Sequence, residues 1–594
     1  MTEEAYLIAL ADWLGTSYET FDRISRADCP LDDNQLIQAA SAGLLPLRRR
    51  GEIVWIIAPR HFTARRLADS GQQKPDWLHS FRFTSSERLL RYVAKNAQDA
   101  LARRAADGLR LARPNFCNAP RPRRAATITK LMAVLLALTI FALIPGAAIA
   151  VSATLLCPLF LAAAALRLSS VLYRRRGRGK SSRPDDFELP VYTIICALYR
   201  EANVAGELVA AIRSLDYPRE KLDVKLVLEA DDPETRQALD RLDLGPPFEI
   251  VTAPPAGPRT KPKALNVALP LARGVFTVVY DAEDAPESDQ LRRAAEKFMA
   301  SDSRLACVQA SLTIDNTADN WLARMFTADY AGQFDVFLPA LAALRLPFPL
   351  GGSSNHFRTA ALRRIGGWDP YNVTEDADLG IRLYRLGYRA SVLPAATYEE
   401  APARFFAWLR QRTRWYKGWM QTWLVHMRRP GALVLDLGPV GALVFQLVLG
   451  ANVLAALVHP AFLVGLGAAF FTAPEPQALA AMTDLAPIFA ATLVCGYGST
   501  IVLGLAGLAR RRLLSHGWVL LLTPFYWLLL SLAAWRALFQ LLSDAQKWEK
   551  TEHGLAKTSR LARPKRRLES RGNASRVAPL RIMKDTALLM ESGR

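Results

Sequence analysis

The sequence predicts an α/β fold: a mainly parallel, doubly wound sheet set between membrane-spanning helices and preceded by a small α+β domain. Three observations predict it. Strand-like and helix-like runs alternate through residues 190–400, the signature of a parallel sheet with crossover helices. Long apolar regions flank that block on both sides. Residues 1–118 mix helical apolar spacing with a β-rich run and read as soluble.

In the N-terminal region, EEAYLIALADWL and NQLIQAASAGLL carry helical spacing, EIVWIIAP (52–59) reads as a buried strand, and residues 86–111 read as one long helix. A basic linker (119–130) leads into residues 131–172, whose one charge is Arg167. A membrane helix needs about 20 apolar residues, so this region holds two spans with IPGAA (144–148) as the turn. Basic flanks place both of its ends in the cytoplasm. In the central block, VYTIICAL, VKLVLEA, FEIVTA, VFTVVYD and ACVQASLTI are strands, separated by four amphipathic helical runs. Residues 438–472 carry no charge and are read as two spans turning at His459-Pro460, with further spans at 485–508 and 517–541. Two spans there return the basic tail, 544–594, to the cytoplasm and leave Arg510, Arg511 and Arg512 outside; one span does the reverse. The tail's larger charge favours two. Its last thirty residues read as disordered.

The formal net charge is +20, which admits nucleic acid, anionic lipid or an anionic substrate as partner. The positive residues cluster beside the apolar spans and in the tail, so lipid is the simpler partner and nucleic acid is set aside. The six cysteines are scattered, with no CxxC or zinc-like spacing. They read as reduced thiols in a cytoplasmic setting. MTEEAYLIALADW lacks the basic-then-apolar order of a signal peptide.

Ligands of open α/β sheets bind at the carboxyl ends of the strands. Three strands here end in acids: LYREAN brings Tyr199 and Glu201, EADD brings Asp231 and Asp232, and VVYDAEDAPE brings Asp281, Glu283 and Asp284. Any one acidic strand end is ordinarily a cap or a solvated turn; three at one edge are a candidate site. Carboxylates at i and i+2 can share a divalent cation, and oxygen ligands suit Mg2+ or Mn2+, which keep positions for phosphate. Lys263 in RTKPKALN stands near enough to meet a diphosphate. Asp376, opening the run EDADLGIRLYRLG, is either an N-terminal dipole partner or a general base.

With these acids in order, followed by TED (374–376) and QRTRW (411–415), the chain resembles glycosyltransferase family 2. Its flanking membrane helices resemble the catalytic subunit of bacterial cellulose synthase and related processive synthases. The resemblance covers roughly residues 130–555. It implies a GT-A type nucleotide-sugar transferase domain over 185–400, an interfacial helix with QxxRW over 401–430, three or four spans over 438–541, and a bacterial inner-membrane protein with a cytoplasmic catalytic domain. It assigns Tyr199, Glu201 and Asp231 to the nucleobase, and Lys263 and Asn266 to the phosphates. Asp281 and Glu283 take the metal, Mg2+ or Mn2+, with the diphosphate. Asp376 becomes the base beside Glu375, and Gln411, Arg414 and Trp415 are the QxxRW residues. Glu283 departs from the usual second aspartate of DxD. LGGSSNHFR (350–358) matches the acceptor motif loosely, giving Ser354, Asn355 and His356 as acceptor contacts. The implied partners are a UDP-sugar, a growing glycan and inner-membrane lipid. Residues 1–118 resemble the N-terminal domain of type II secretion ATPases, which makes cyclic di-GMP or a protein partner an expectation there. KWEKTEHGL (547–555) is also familiar from membrane-bound members, with no role attached.

On a helix, Gln411, Arg414 and Trp415 share one face. Trp408, Trp415, Trp419 and Trp423 continue a stripe. Tryptophan and arginine favour the headgroup zone, so Trp419 and Trp423 are read as membrane contacts. Gln411 and Arg414 are read as site residues, the arginine stabilising a leaving diphosphate. The expected function is processive, inverting synthesis of a β-linked exopolysaccharide and its translocation. The alternatives are single transfer to a lipid carrier or short acceptor, and a catalytically inactive membrane scaffold.

Overall fold

A computed structural model of the chain describes residues 3–49, 51–59, 64, 67, 80–120, 139, 145–173, 184–471, 484–549 and 558. In the N-terminal region, strands β1 (Ser17–Tyr18), β2 (Leu44–Arg49), β3 (Glu52–Ile57) and β4 (Phe81–Phe83) form a sheet in the order β1-β4-β3-β2. Helix Glu3–Leu14 lays Leu7, Leu10, Ala11 and Leu14 against Phe83. β3 is half-buried rather than buried: Ile53 is 50% and Trp55 37% exposed. The run 86–111 is two helices, Ser86–Asn96 and Gln98–Ala112, broken at Ala97. The Asn96 side chain donates to Tyr92 O at 2.8 Å, competing for a carbonyl that an unbroken helix uses.

The central block is an eight-stranded mixed sheet. Its strands are β5 (Tyr192–Leu198), β6 (Leu222–Glu229), β7 (Phe248–Ala253), β8 (Phe276–Val279), β9 (Ala285–Pro286), β10 (Leu305–Ile314), β11 (Asn355–Arg358) and β12 (Arg389–Glu399), in the order β7-β6-β5-β8-β11-β10-β12-β9. The first four in that order are mutually parallel. β11 runs antiparallel to both β8 and β10, and β9 antiparallel to β12. The sheet is thus mixed where the sequence suggests a mainly parallel one, because β11, in a segment without period-two patterning, inserts between β8 and β10. The parallel pairing of β5, β6 and β8 brings their carboxyl ends to one edge.

Among the described residues, four helices are long and apolar enough to cross a membrane: Ala148–Leu172, Pro430–Gly467, Ala486–Arg510 and Leu514–Ser543. The first span expected within 131–172 lies mostly outside the described residues. Residues 438–472 do not turn at His459-Pro460; Pro460 lies inside helix Ala451–Phe471. The break comes earlier, at Gly438 (φ 70, ψ 167), just before Pro439. A proline costs a helix one hydrogen bond and bends it without forcing a reversal.

Neither expected topology is seen. Arg511 pairs with Asp335 and donates to Leu312 O at 2.8 Å, on the block that holds the eight-stranded sheet. Residues 545–549 touch the QxxRW helix, Phe405–His426. Both segments therefore lie on the side of the eight-stranded sheet. Helix Thr523–Ser543 runs alongside the QxxRW helix in the same direction: Tyr526 meets Trp408, and Ala533, Ala534 and Ala537 cluster with Tyr416 and Met420. Helix Ala486–Arg510 is seated on helix Trp321–Gly332 at Gly507, where a Cβ would lie 2.2 Å from Ala331 C.

Candidate functional site

A cavity of about 590 Å3 opens at the carboxyl ends of β5, β6 and β8 and continues between the apolar helices. Tyr199 and Glu201 after β5, and Asp281 and Glu283 after β8, line its strand edge. Glu375 and Asp376 open helix Glu375–Arg385 on another wall, and Gln411, Arg414 and Trp415 face it from the QxxRW helix. Four separate stretches of chain thus converge on one space.

The turn after β8 explains how Asp281 and Glu283 are presented. Asp284 is buried and accepts Asp281 N at 2.7 Å, while Asp284 N donates to Asp281 O. Burial, then the neighbouring Asp281 and Glu283, raise its pKa well above the carboxylate range. Asp284 therefore acts as an internal brace that leaves the other two acids on the cavity side. Lys261 pairs with Asp281 and donates to Gly352 O at 2.9 Å. Burial opposes the Lys261 charge, but Asp281, Glu375 and Asp376 outweigh it and hold the ammonium protonated.

Glu375 is buried; burial, with Asp376 beside it, pushes its pKa to about 7 against the pull of Lys261 and Arg414. Asp376 shifts upward by burial too, opposed by its bond from Ala377 N and by Lys261 and Arg414. Asp376 Oδ1 accepts Ala377 N at 2.8 Å, and Oδ2 faces Gly352, where a Cβ would lie 3.4 Å away. A carboxylate with one oxygen anchored and the other turned to a cavity is arranged to take a proton. For Glu375 the raised folded pKa means the folded state binds the proton more tightly, so its contribution to stability is full below about 4.3, the free-glutamate value, and is lost as pH rises through about 7. Thermal unfolding of the detergent-solubilised protein at pH 6 and pH 8 checks this. Glu375→Gln is expected to narrow the wild-type difference, and an unchanged difference refutes the assignment.

The QxxRW helix is packed on several sides. Gln411 Oε1 and Arg414 Nε are buried without a hydrogen-bond partner among the described residues, both on cavity-lining side chains. Arg412 bonds Asp329 at 3.1 Å and lies over the rings of Phe326 and Trp415. Trp415 stacks with Tyr330. Trp419 lines the cavity and Trp423 Nε1 donates to Gln446 Oε1 at 2.8 Å, so these tryptophans have internal contacts where the sequence suggested membrane contacts. Gly418 is backed by Thr374: a Cβ there would fall 2.2 Å from Thr374 Oγ1. Gln421 Oε1 accepts Val373 N at 3.1 Å, and Asn372 Nδ2 donates to Thr422 Oγ1 at 2.9 Å. The TED loop is thus stitched to the QxxRW helix.

Other candidate residues lie elsewhere. Lys263 is fully buried and gives its ammonium to Glu229 at 3.0 Å and Pro254 O at 2.8 Å; Lys261, two residues earlier, faces the cavity. Asn266 is held by Ala105 O and by Trp368 N and O. Asp231 sits at the mouth, paired at 2.7 Å with Arg259, which lines the cavity. His356 is buried in the sheet between Tyr192 and Gln290, with its pKa driven by burial down to about 3. Ser354 bonds Thr397 and Asn355 bonds Gly351 O. β11 carries His356 and Asn355 into the core, with Ser354 buried just before it, and the glycines and Ser353 before them line the cavity.

Sequence reasoning missed Arg259, Lys261, Glu229, Glu399, Glu400 and Trp548 in the lining. Glu399 and Glu400 close β12 and were open to the strand-end rule. Trp548 belongs to KWEKTEHGL; the Arg414 guanidinium lies 4.9 Å from its ring centre. Lys417 and Gln421 hold that segment through Lys547 O and Ala545 O, each at 2.6 Å. No contiguous pattern joins residue 548 to residue 414.

The donor set suits a divalent cation: two carboxylates two residues apart are braced toward an open cavity. No cluster of three or more His, Cys, Asp or Glu side chains that could hold a metal ion occurs among the described residues.

Comparisons with known proteins match part of the chain to a family. The model of glycosyl transferase family group 2 matches residues 276–542. The chain is 27% identical over 242 residues to the probable glycosyltransferase YdaM of Bacillus subtilis, covering 39% of this chain and 56% of that protein. It is 28% identical over 247 residues to a β-monoglucosyldiacylglycerol synthase of Synechocystis, covering 40% and 50%. It is 28% identical over 250 residues to a probable glucomannan 4-β-mannosyltransferase of Arabidopsis thaliana, covering 40% and 43%. The chain thus spans about half the length of the curated relatives it matches. Among solved structures it is similar to the mannosyltransferase PcManGT of Pyrobaculum calidifontis in complex with GDP-Man and Mn2+, at TM-score 0.35 and 23% identity over 58% of this chain and 99% of that one. The family-model match and the sequence relatives show that the chain carries a glycosyltransferase family 2 domain, whose strand-end acids, TED and QxxRW meet in one cavity.

Proposed function

We propose that the protein is an inverting hexosyltransferase that takes a sugar from a UDP-sugar and delivers it to an acceptor lying toward the membrane helices. The observation that carries this reading is the continuity of one cavity from the Asp281–Glu283 edge, past Asp376 and Arg414, into the space between apolar helices. Asp281 and Glu283 would hold a divalent cation, which supplies positive charge to the donor diphosphate. Asp376 takes the proton from the attacking acceptor hydroxyl. Arg414 and Lys261 meet the charge that develops on the departing nucleotide. Trp415, fixed by Arg412 and Tyr330, offers a face to a sugar ring. Displacement on the side opposite the leaving group inverts the anomeric centre.

For the product, the QxxRW motif supports stepwise extension of a β-linked exopolysaccharide, exported through the inner membrane from a cytoplasmic site. A second reading, transfer to a lipid-borne acceptor, is favoured by the aliphatic walls of the deeper cavity, among them Leu447, Val448, Leu503 and Leu530. Membranes holding the protein, incubated with Mg2+ or Mn2+ and a panel of labelled UDP-sugars, test both. Ethanol-insoluble product from one donor supports extension. Label in the organic phase supports the lipid acceptor. No turnover with any donor refutes the transferase reading.

A further inference from the structure

Arg167 is the one charge in the first apolar region. It lies in helix Pro145–Leu172, after Ala163, Ala164, Ala165 and Leu166, and it lines the same cavity as the TED acids. Its guanidinium makes no hydrogen bond and no ion pair with the described residues. Asp329, close enough to act on it electrostatically, is already held by Arg412 at 3.1 Å and by the Tyr526 hydroxyl at 3.0 Å. An arginine in a long apolar helix is costly unless something answers its charge. The helix packs through Ala163 and Leu166 on Leu447 and Ala451, which puts Arg167 on the helix-bundle side of the cavity, whereas Lys261 and Arg259 flank the strand-end acids. Tyr416 and Asp329 act on it from the same lining, and the cavity also has aliphatic wall: Leu166 and Leu447 beside this helix, and Val448, Leu503 and Leu530 elsewhere in the lining.

We infer that Arg167 binds the phosphate of a membrane lipid whose chains occupy the aliphatic part of this cavity, so that the acceptor is presented on a lipid phosphate. A guanidinium offers paired N–H donors matched to phosphate oxygens, and leucine and valine side chains suit acyl or isoprenoid chains. The inference rests on the reading that this cavity takes the acceptor. It joins the two product readings, since a glycan can be extended while tethered to a lipid.

The test uses the full-length protein in detergent, with phosphatidic acid and diacylglycerol of the same chains as probes and native mass spectrometry as the readout. Retention of phosphatidic acid but not diacylglycerol is expected. Arg167→Gln should weaken that retention roughly tenfold or more, the loss of a charge-assisted hydrogen bond, with UDP binding unchanged and Arg167→Lys intermediate. Equal retention of diacylglycerol, or wild-type retention by Arg167→Gln, overturns the proposal. Displacement of the lipid by millimolar inorganic phosphate also overturns it, because the site then reads free phosphate. Should Arg167→Gln lose UDP binding through misfolding, crosslinking of wild type with a photoreactive-headgroup phosphatidic acid decides. Label on the peptide holding Arg167 supports the inference, and label only elsewhere overturns it. UDP-sugar turnover without lipid retention keeps the proposed function and removes this inference alone.

Discussion

Asp376→Asn is expected to lower the turnover number by roughly a hundred- to ten-thousandfold, the usual contribution of a positioned general base, while UDP binding stays near wild type. The expectation follows from how the carboxylate is held. One oxygen is anchored by Ala377 N and the other faces the cavity beside Gly352. Asparagine keeps the size and can keep the anchor, but it cannot accept the acceptor's proton. In the proposed function, nucleotide binding falls to Tyr199, Glu201 and Asp281 at the strand ends and to Lys261 beside them, which the substitution leaves in place. Single-turnover transfer with a labelled UDP-sugar, alongside calorimetric UDP binding, separates the two effects. A variant that loses both would assign Asp376 to donor binding, and one that keeps both would remove it from the chemistry.

Gly418→Ala is the second large effect, and it touches no substrate. The added methyl would sit 2.2 Å from Thr374 Oγ1 and 2.4 Å from its Cγ2, so the helix and the TED loop must part. Overpacking of this kind costs about 1–3 kcal/mol. The kinetic consequence is larger, because Thr374 directly precedes Glu375 and Asp376, and a displacement of about 1 Å at a reacting group can cost roughly a hundredfold in rate. The turnover number should fall by about that factor with the KM for the UDP-sugar little changed. Gly498→Ala, where a Cβ meets nothing within 4 Å, serves as the control for adding a methyl to a helical glycine. Equal turnover in the two variants would show that the TED loop does not depend on this contact.

The sequence by itself determined the alternating strands and helices of residues 190–314, because buried strands and amphipathic helices carry their period in the chain. It determined that acids end β5, β6 and β8, since that is a local property of each run. It left Asp376 open between a dipole partner and a general base, and the resemblance of TED and QxxRW to glycosyltransferase family 2 supplied the catalytic reading. Only the tertiary structure decided which lysine faces the cavity: Lys261 and Lys263 look alike in RTKPKALN, and Glu229 draws the second one inward. Only packing carried His356 into the sheet, through a strand too short and irregular to read. Packing also ran helix Thr523–Ser543 beside the QxxRW helix, so that Arg511 and Trp548 lie on the same side. Charge counting assumes that every long apolar helix crosses the bilayer. Here the contacts of Tyr526, Ala533 and Ala537 run the last one along the QxxRW helix, a choice set by side-chain fit between segments more than a hundred residues apart, which no local pattern records.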